Sequence, residues 1–285
     1  GILLLQWKLA PSEDVARDLE RAIEANAEHP ALGFLWGGAG ALRAALFMLD
    51  WTGEERWRDL ALRIFEFLWS RWDYVESVQC HLWLTDLYGA RAYRTNTLHG
   101  FPSIARTMMF ADDLISAERR DELIKRARIA VSKTALREGT HANWLHSAGD
   151  NLPSTNNILR VQHCVGAPGF VNSFAHLPAD DETDALILAA GQLTWDAGPI
   201  AKLPSLCHGV PGSGYAFLNL FTRTADELWL ERARRFAMHA IAQAERGAAE
   251  HGQRKFSLWT GDLGLACYLA DCIRMRSAFP TMDVF

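Results

Sequence analysis

The stretch Leu206-Cys207-His208-Gly209-Val210-Pro211-Gly212-Ser213-Gly214-Tyr215-Ala216-Phe217 joins two soft metal ligands to a glycine-paced turn that opens an apolar helix. Neighbouring residues do not share a helical face, so Cys207 and His208 can face one ion only from a turn just before a helix begins. An upstream echo, His163-Cys164-Val165-Gly166-Ala167-Pro168-Gly169-Phe170, follows the same plan: a cysteine, Gly-x-x-Gly spacing, then an apolar run. Cys164, Cys207 and His208 together offer three ligands, the number in a catalytic zinc site that keeps its fourth position open, whereas four protein ligands make a closed structural site. The alternative for one Cys-His pair is a buried thiol beside a hydrogen-bonded histidine, and short motifs match by chance. The echo bears on that choice, because repeated helical hairpins bring equivalent turns together at one end of a barrel.

The same pattern extends outward from these two turns. Gly37-Gly38-Ala39-Gly40 precedes the apolar run 41–49, His99-Gly100-Phe101-Pro102-Ser103 precedes 104–110, and Thr260-Gly261-Asp262-Leu263-Gly264 precedes 265–273. That makes five glycine-paced turns, four clean and one with serine in place of the second glycine. Each apolar run follows a segment with helical amphipathic spacing: 12–27, 54–72, 117–137, 181–193 and 226–246. Ser12 supplies a start signal for the first of these. Strand signals are nearly absent, and residues 74–97 and 139–159 read as long connections, the former partly helical. Alternating buried and half-exposed helices predict an all-α fold, an α/α toroid: a double-layered helical barrel of repeated hairpins with its Gly-x-x-Gly turns at one mouth. Gly1 before Ile2-Leu3-Leu4-Leu5 reads as the end of one further turn opening a core helix, so the chain is expected to start mid-repeat with its first repeat missing.

No Pro/Ser/Gly-rich linker or charge block interrupts the 285 residues, which predicts a single domain over 1–285. A net charge of −5, with no basic stripe, gives no electrostatic reason to bind nucleic acid. Five cysteines at scattered positions do not form a disulfide framework, which favours a reducing compartment and a cytoplasmic protein. The apolar opening is too short for a membrane span. Cys267 and Cys272, five apart on an apolar run, do not share a face and read as buried structural thiols.

The whole chain resembles the lanthionine synthetase C-like family, which includes the lantibiotic cyclases and their glutathione-binding relatives. Cys164-Val165-Gly166-Ala167-Pro168-Gly169, the stretch from Leu206 to Phe217 and Ser257-Leu258-Trp259-Thr260-Gly261-Asp262-Leu263-Gly264 carry the resemblance most specifically, with Leu35 to Gly40 and Leu98-His99-Gly100-Phe101 adding to it. It implies seven inner and seven outer helices, with zinc held by Cys164, Cys207 and His208. In such enzymes a cysteine or glutathione sulfur binds the ion and is deprotonated, since a free thiol of pKa about 8.5 is mostly protonated at neutral pH. The thiolate adds to a dehydroalanine or dehydrobutyrine of a dehydrated peptide, and the resulting enolate requires a general acid. His99 matches the family histidine proposed for that proton transfer, and Arg160 an arginine proposed to act near the enolate.

Two positions depart from the family. Val165 stands where tyrosine or histidine is usual after the first zinc cysteine, and no acidic residue lies within 33–40, which leaves Asp86 in the next connection as the candidate acid and His163 as a substitute donor. The expected function is therefore zinc-dependent thioether formation, with a non-catalytic zinc-bearing peptide- or glutathione-binding module as the alternative. A toroidal sugar enzyme comes third, because Asp262 is the lone acid at the glycine turns.

Overall fold

The structure, a computed structural model, describes residues 1–149 and 159–285. The described residues divide into two compact units: Gly1–Lys133 with 147–149 and Thr281–Phe285, and Thr134–His146 with 159–280.

In the first unit six helices follow one another: α1 (Ile2–Leu9), α2 (Glu13–Ala27), α3 (Gly38–Thr52), α4 (Glu55–Ser70), α5 (Phe101–Met109) and α6 (Ala117–Thr134), the last ending at the unit boundary. Ser12 starts α2 by accepting a hydrogen bond from the Val15 amide at 3.3 Å, and Val15, Ala16, Leu19 and Ile23 form its buried stripe. Buried α3 packs against α2, α4 and α5. Its entry turn needs Gly37, held at φ +135°, because a β-carbon there would lie 2.6 Å from the Leu32 amide nitrogen. The opening helix α1 is not a core helix, since Leu4 is buried but Ile2 and Leu9 are 86% and 77% exposed. Its apolar residues surround the helix, whereas α2 packs on one side.

The second unit repeats the alternation with α7 (Ala167–Phe174), α8 (Asp181–Ala197), α9 (Val210–Thr224), α10 (Glu227–His251) and α11 (Asp262–Arg274). Every residue of α7 is buried, as is α9 from Val210 to Leu220, and α9 packs against α7, α8, α10 and α11. Asp180 and Asp226 begin the amphipathic α8 and α10 by accepting from the Thr183 and Leu228 amides at 3.0 and 2.9 Å. In α11 burial is confined to five residues including Leu265, Tyr268 and Cys272, so this helix is half-exposed where the sequence predicts a buried one.

The helical class and the alternation of half-exposed and buried helices hold within each unit, but the two expected connections contain strands. Residues 74–97 are not partly helical beyond a single 3-10 turn at Glu76–Val78. They form most of an antiparallel meander of β1 (Trp72–Val75), β2 (Cys80–Leu87) and β3 (Ala90–Arg94), with Trp72 opposite Trp83 and their rings stacked at 4.3 Å between centroids. Consecutive Leu82 and Trp83 are both fully buried, which removes the in-out alternation by which a strand is recognised. The segment expected to be helical to residue 137 ends its helix at Thr134 and enters the short hairpin of β4 (Leu136–Glu138) and β5 (His141–Asn143), whose second strand lies in the second connection, and β6 (Ser147–Ala148) joins the edge of β3. Residues 150–158 of that connection lie outside the described part. No helix among the described residues is long and apolar enough to cross a membrane.

Candidate metal centre

Two turns of the second unit carry the cluster. The first runs from Arg160 to Gly166 and feeds α7, and the second runs from Leu203 to Gly209 and feeds α9. In the first, Gln162 and Val165 exchange backbone hydrogen bonds at 3.1 Å, which closes a tight turn around Cys164. Gly166 follows at φ +107°, where a β-carbon would run into the Arg160 carbonyl and come within 2.8 Å of Asn143 Oδ1. Asn143, on β5, holds this turn from outside: its Nδ2 donates to the Arg160 carbonyl at 3.1 Å and its Oδ1 accepts the Ala167 amide at 2.8 Å. Asn143 was not legible as a site residue, since its segment reads as loop and its partners are seventeen or more positions away.

The turns meet through their backbones. The Cys164 amide donates to the Cys207 carbonyl at 3.1 Å, and the Cys207 amide donates to the Trp259 carbonyl at 2.9 Å, which adds the turn before α11. The sulfurs of Cys164 and Cys207 and a ring nitrogen of His208 lie within 4.8 Å of one another. Both cysteines are buried and His208 is half-buried. No other group of three or more His, Cys, Asp or Glu ligands converges in this way among the described residues.

The thiols are electrostatically unequal. The Cys207 S–H donates to Cys164 and, with His208 and Arg160 assisting against burial, brings the Cys164 thiol down to about 5. The same hydrogen bond and burial push the Cys207 thiol up, partly offset by Lys202. One proton leaves easily, while the second is retained because two adjacent buried thiolates repel. A divalent cation removes that repulsion, and two thiolates with one imidazole form a donor set suited to a soft or borderline metal in tetrahedral geometry. The residues present therefore fit a metal ion with one open position.

The remaining candidates fall in different places. Arg160 is exposed on the first turn, and its charge reaches Cys164. His99 lies in the other unit, half-buried on the turn before α5, with its amide bonded to Asn96 Oδ1 at 2.8 Å and its ring stacked on Trp36 at 4.8 Å and 6°. Asp86 accepts the Gly89 amide at 2.9 Å, closing the β2–β3 turn. Val165 is buried, as is His163, whose ring stacks on Phe279 and is held neutral, down to about 3, first by burial and then by His208. That environment does not suit His163 to deliver a proton. Also in this unit, a cavity of about 350 Å³ is lined by Lys202, Arg246 and Lys255 against Glu250 and Asp262. Lys202 connects it electrostatically to Cys207.

Residues 12–284 match the family described as Lanthionine synthetase C-like protein. The chain belongs to that family. Its predominantly helical secondary structure agrees with the all-α class expected of a lanthionine synthetase C-like protein. Among curated relatives, this lanthionine synthetase C-like chain is 28% identical over 191 residues to the zebrafish (Danio rerio) protein named Glutathione S-transferase LANCL1, covering 65% of the chain and 45% of the relative. It is 29% identical over 132 residues to LanC-like protein GCL1 of Arabidopsis thaliana, covering 44% of the chain and 30% of the relative. These matches thus span less than half the length of either relative.

Proposed function

We propose that this lanthionine synthetase C-like chain activates a thiol for addition to a dehydroamino acid, with Cys164, Cys207 and His208 as ligands of a zinc ion. The observation that carries the reading is the approach of these three ligand atoms to within 4.8 Å, on turns of which one bears a cysteine pair partner and the other a Cys-His pair. A zinc ion bound there would supply Lewis acidity, lowering the pKa of a substrate thiol at the open fourth position.

The chain's own residues then have separable tasks. Lys202, Arg246 and Lys255 offer cations to the carboxylates of a small acidic thiol, and the name of the zebrafish relative favours glutathione as that thiol. A dehydroalanine or dehydrobutyrine in a peptide is the electrophile. A carbon–sulfur bond forms at the β-carbon, the π electrons move toward the carbonyl as an enolate, and a proton returns to the α-carbon to leave a thioether. The exposed Arg160 guanidinium offers positive charge to the enolate from the first turn. His99 is the candidate proton donor, since the buried side chain beside Cys164 is valine.

Metal analysis of purified protein, paired with mass spectrometry of a dehydroalanine peptide incubated with glutathione, tests the reading. About one zinc per chain and a glutathione adduct are expected. Val165 favours a second reading, a zinc-bearing module that binds peptide or glutathione without turnover. Zinc without adduct would support that one, and protein without zinc would remove both.

A further inference from the structure

We infer that Asn172 is a positioning residue for the metal centre, its single amide clamping the Cys164 turn to the first turn of α9, the helix that the Cys207–His208 turn opens. The inference rests on reading those three residues as metal ligands.

Asn172 lies eight residues beyond Cys164, inside α7, and is 1% exposed. Its neighbours on that helix include Phe170, Val171 and Phe174, all buried, so core packing alone has no use for an amide here. Both hydrogens of Nδ2 are engaged. One goes to Nδ1 of His163, the residue before Cys164, at 3.0 Å, and the other to the carbonyl of Gly212, four positions past His208, at 2.9 Å. Because an amide nitrogen can only donate, His163 Nδ1 accepts and its ring proton resides on Nε2. Oδ1 of Asn172 accepts from Asn219 Nδ2 at 2.9 Å, and Asn219 also donates to the Tyr215 carbonyl at 3.1 Å, which orients the Asn172 amide from α9.

The Cys164 turn and the start of α9 are already in close contact where the amide joins them. A β-carbon on Gly212 would strike the Leu206 carbonyl and lie 2.9 Å from His163 Cβ. Asn172 therefore sets direction at a point where Gly212 sets distance. Aspartate lacks both donors and leucine lacks all three polar functions, so neither substitute reproduces the clamp. Both amide hydrogens of Asn172 have one partner each, while His163 Nε2 and Asn219 Oδ1 have none among the described residues, so the orientation of the cysteine next to His163 relative to Cys207 and His208 depends on the Asn172 bonds. Groups hydrogen-bonded directly to a ligand typically change metal affinity by about 10–100-fold when removed, and Asn172, bonded to His163 beside Cys164 and to Gly212 beyond His208, acts one step further out, so that range is its upper bound.

The test compares wild type, Asn172→Leu and His163→Phe. Zinc affinity is measured by competition with a chromophoric chelator, tetrahedral geometry by the d–d bands of the cobalt-loaded protein, and folding by far-ultraviolet circular dichroism and a thermal midpoint in chelator. Asn172→Leu is expected to weaken zinc by up to about 10–100-fold and to diminish the cobalt bands while the dichroism persists. His163→Phe keeps an aromatic ring against Phe279 and removes one of the two acceptors, so it should weaken zinc by less than Asn172→Leu. It decides the matter if Asn172→Leu does not fold. Wild-type zinc affinity and cobalt bands in the variants, even with a lowered thermal midpoint, would make Asn172 a core residue and overturn the inference alone. A wild-type protein that takes up neither metal would instead overturn the metal reading, and this inference with it.

Discussion

The Cys164 amide donates to the Cys207 carbonyl at 3.1 Å, so two residues 43 positions apart are joined through their backbones before their sulfurs are considered. The pairing of the turns is consequently independent of the thiols. Cys164→Ser and Cys207→Ala should keep their helical dichroism and lose stoichiometric zinc, with a larger fall in affinity than the 10–100-fold or so that removal of an outer partner costs. Plasma emission after gel filtration in chelator-free buffer measures this. Full zinc content in Cys207→Ala would remove Cys207 from the ligand set.

His99 lies on a different turn from all three candidate ligands, which allows its role to be separated from metal binding. His99→Ala should lower the rate of glutathione addition by about 10²–10⁴-fold with zinc retained. Val165→His should raise the rate by placing a donor beside the ligands, at a stability cost of about 1–3 kcal/mol because Val165 is 2% exposed. Full activity in His99→Ala would show that the proton comes from another group.

Gly166 is the position where backbone conformation and site geometry coincide most closely. At φ +107°, with the Arg160 carbonyl and Asn143 Oδ1 against its α-carbon, it has no space for a side chain. Gly166→Ala should therefore cost about 1–3 kcal/mol or more in a urea titration and weaken zinc, since the turn must open to admit the methyl group. Gly247, where nothing lies within 4 Å of an added β-carbon, is the control: in its helix, Gly247→Ala should be neutral or stabilising by up to about 1 kcal/mol.

A pH effect follows from His81 on β2, whose pKa is lowered, first by burial and then by the charge of Arg126, against the opposing carboxylates of Glu122 and Asp73. Its folded value lies below its unfolded value, so the unfolded chain takes up the proton first. The stability this contributes is complete above about pH 6.5 and is lost as pH falls through the folded value. Wild type should accordingly lose more stability than His81→Phe between pH 7 and pH 5, by chemical denaturation at each pH. Equal losses would show that His81 titrates as it does in the unfolded chain.

The recurring Gly-x-x-Gly turns made the helices legible, because they place glycine where the backbone five or six residues earlier in the same turn leaves no room for a β-carbon. The convergence of the three candidate ligands was legible for a related reason: they stand on two equivalent turns, Cys164 on one and Cys207 and His208 on the other. The meander of β1, β2 and β3 was not. Leu82 and Trp83 are buried on both sides of their strand, so the period-two pattern vanishes, and Trp72 meets Trp83 only through pairing across the sheet. The exposure of α1 was equally hidden, since its apolar residues do not say how many sides another helix will cover.

Residue order alone thus determined the helical class, the helix-opening turns and the chemical identity of the cluster, all of which depend on local spacing and on side-chain chemistry. Tertiary structure decided which groups support that cluster and in what state. Asn143 reaches it from a β-hairpin, Asn172 from within a buried helix, and Trp259 through a backbone carbonyl. The shared proton of Cys164 and Cys207 likewise exists only once burial and proximity make two thiolates too costly together. Hydrogen bonds and charge interactions depend on distance in space, and positions separated by dozens of residues acquire that distance only when the chain has folded.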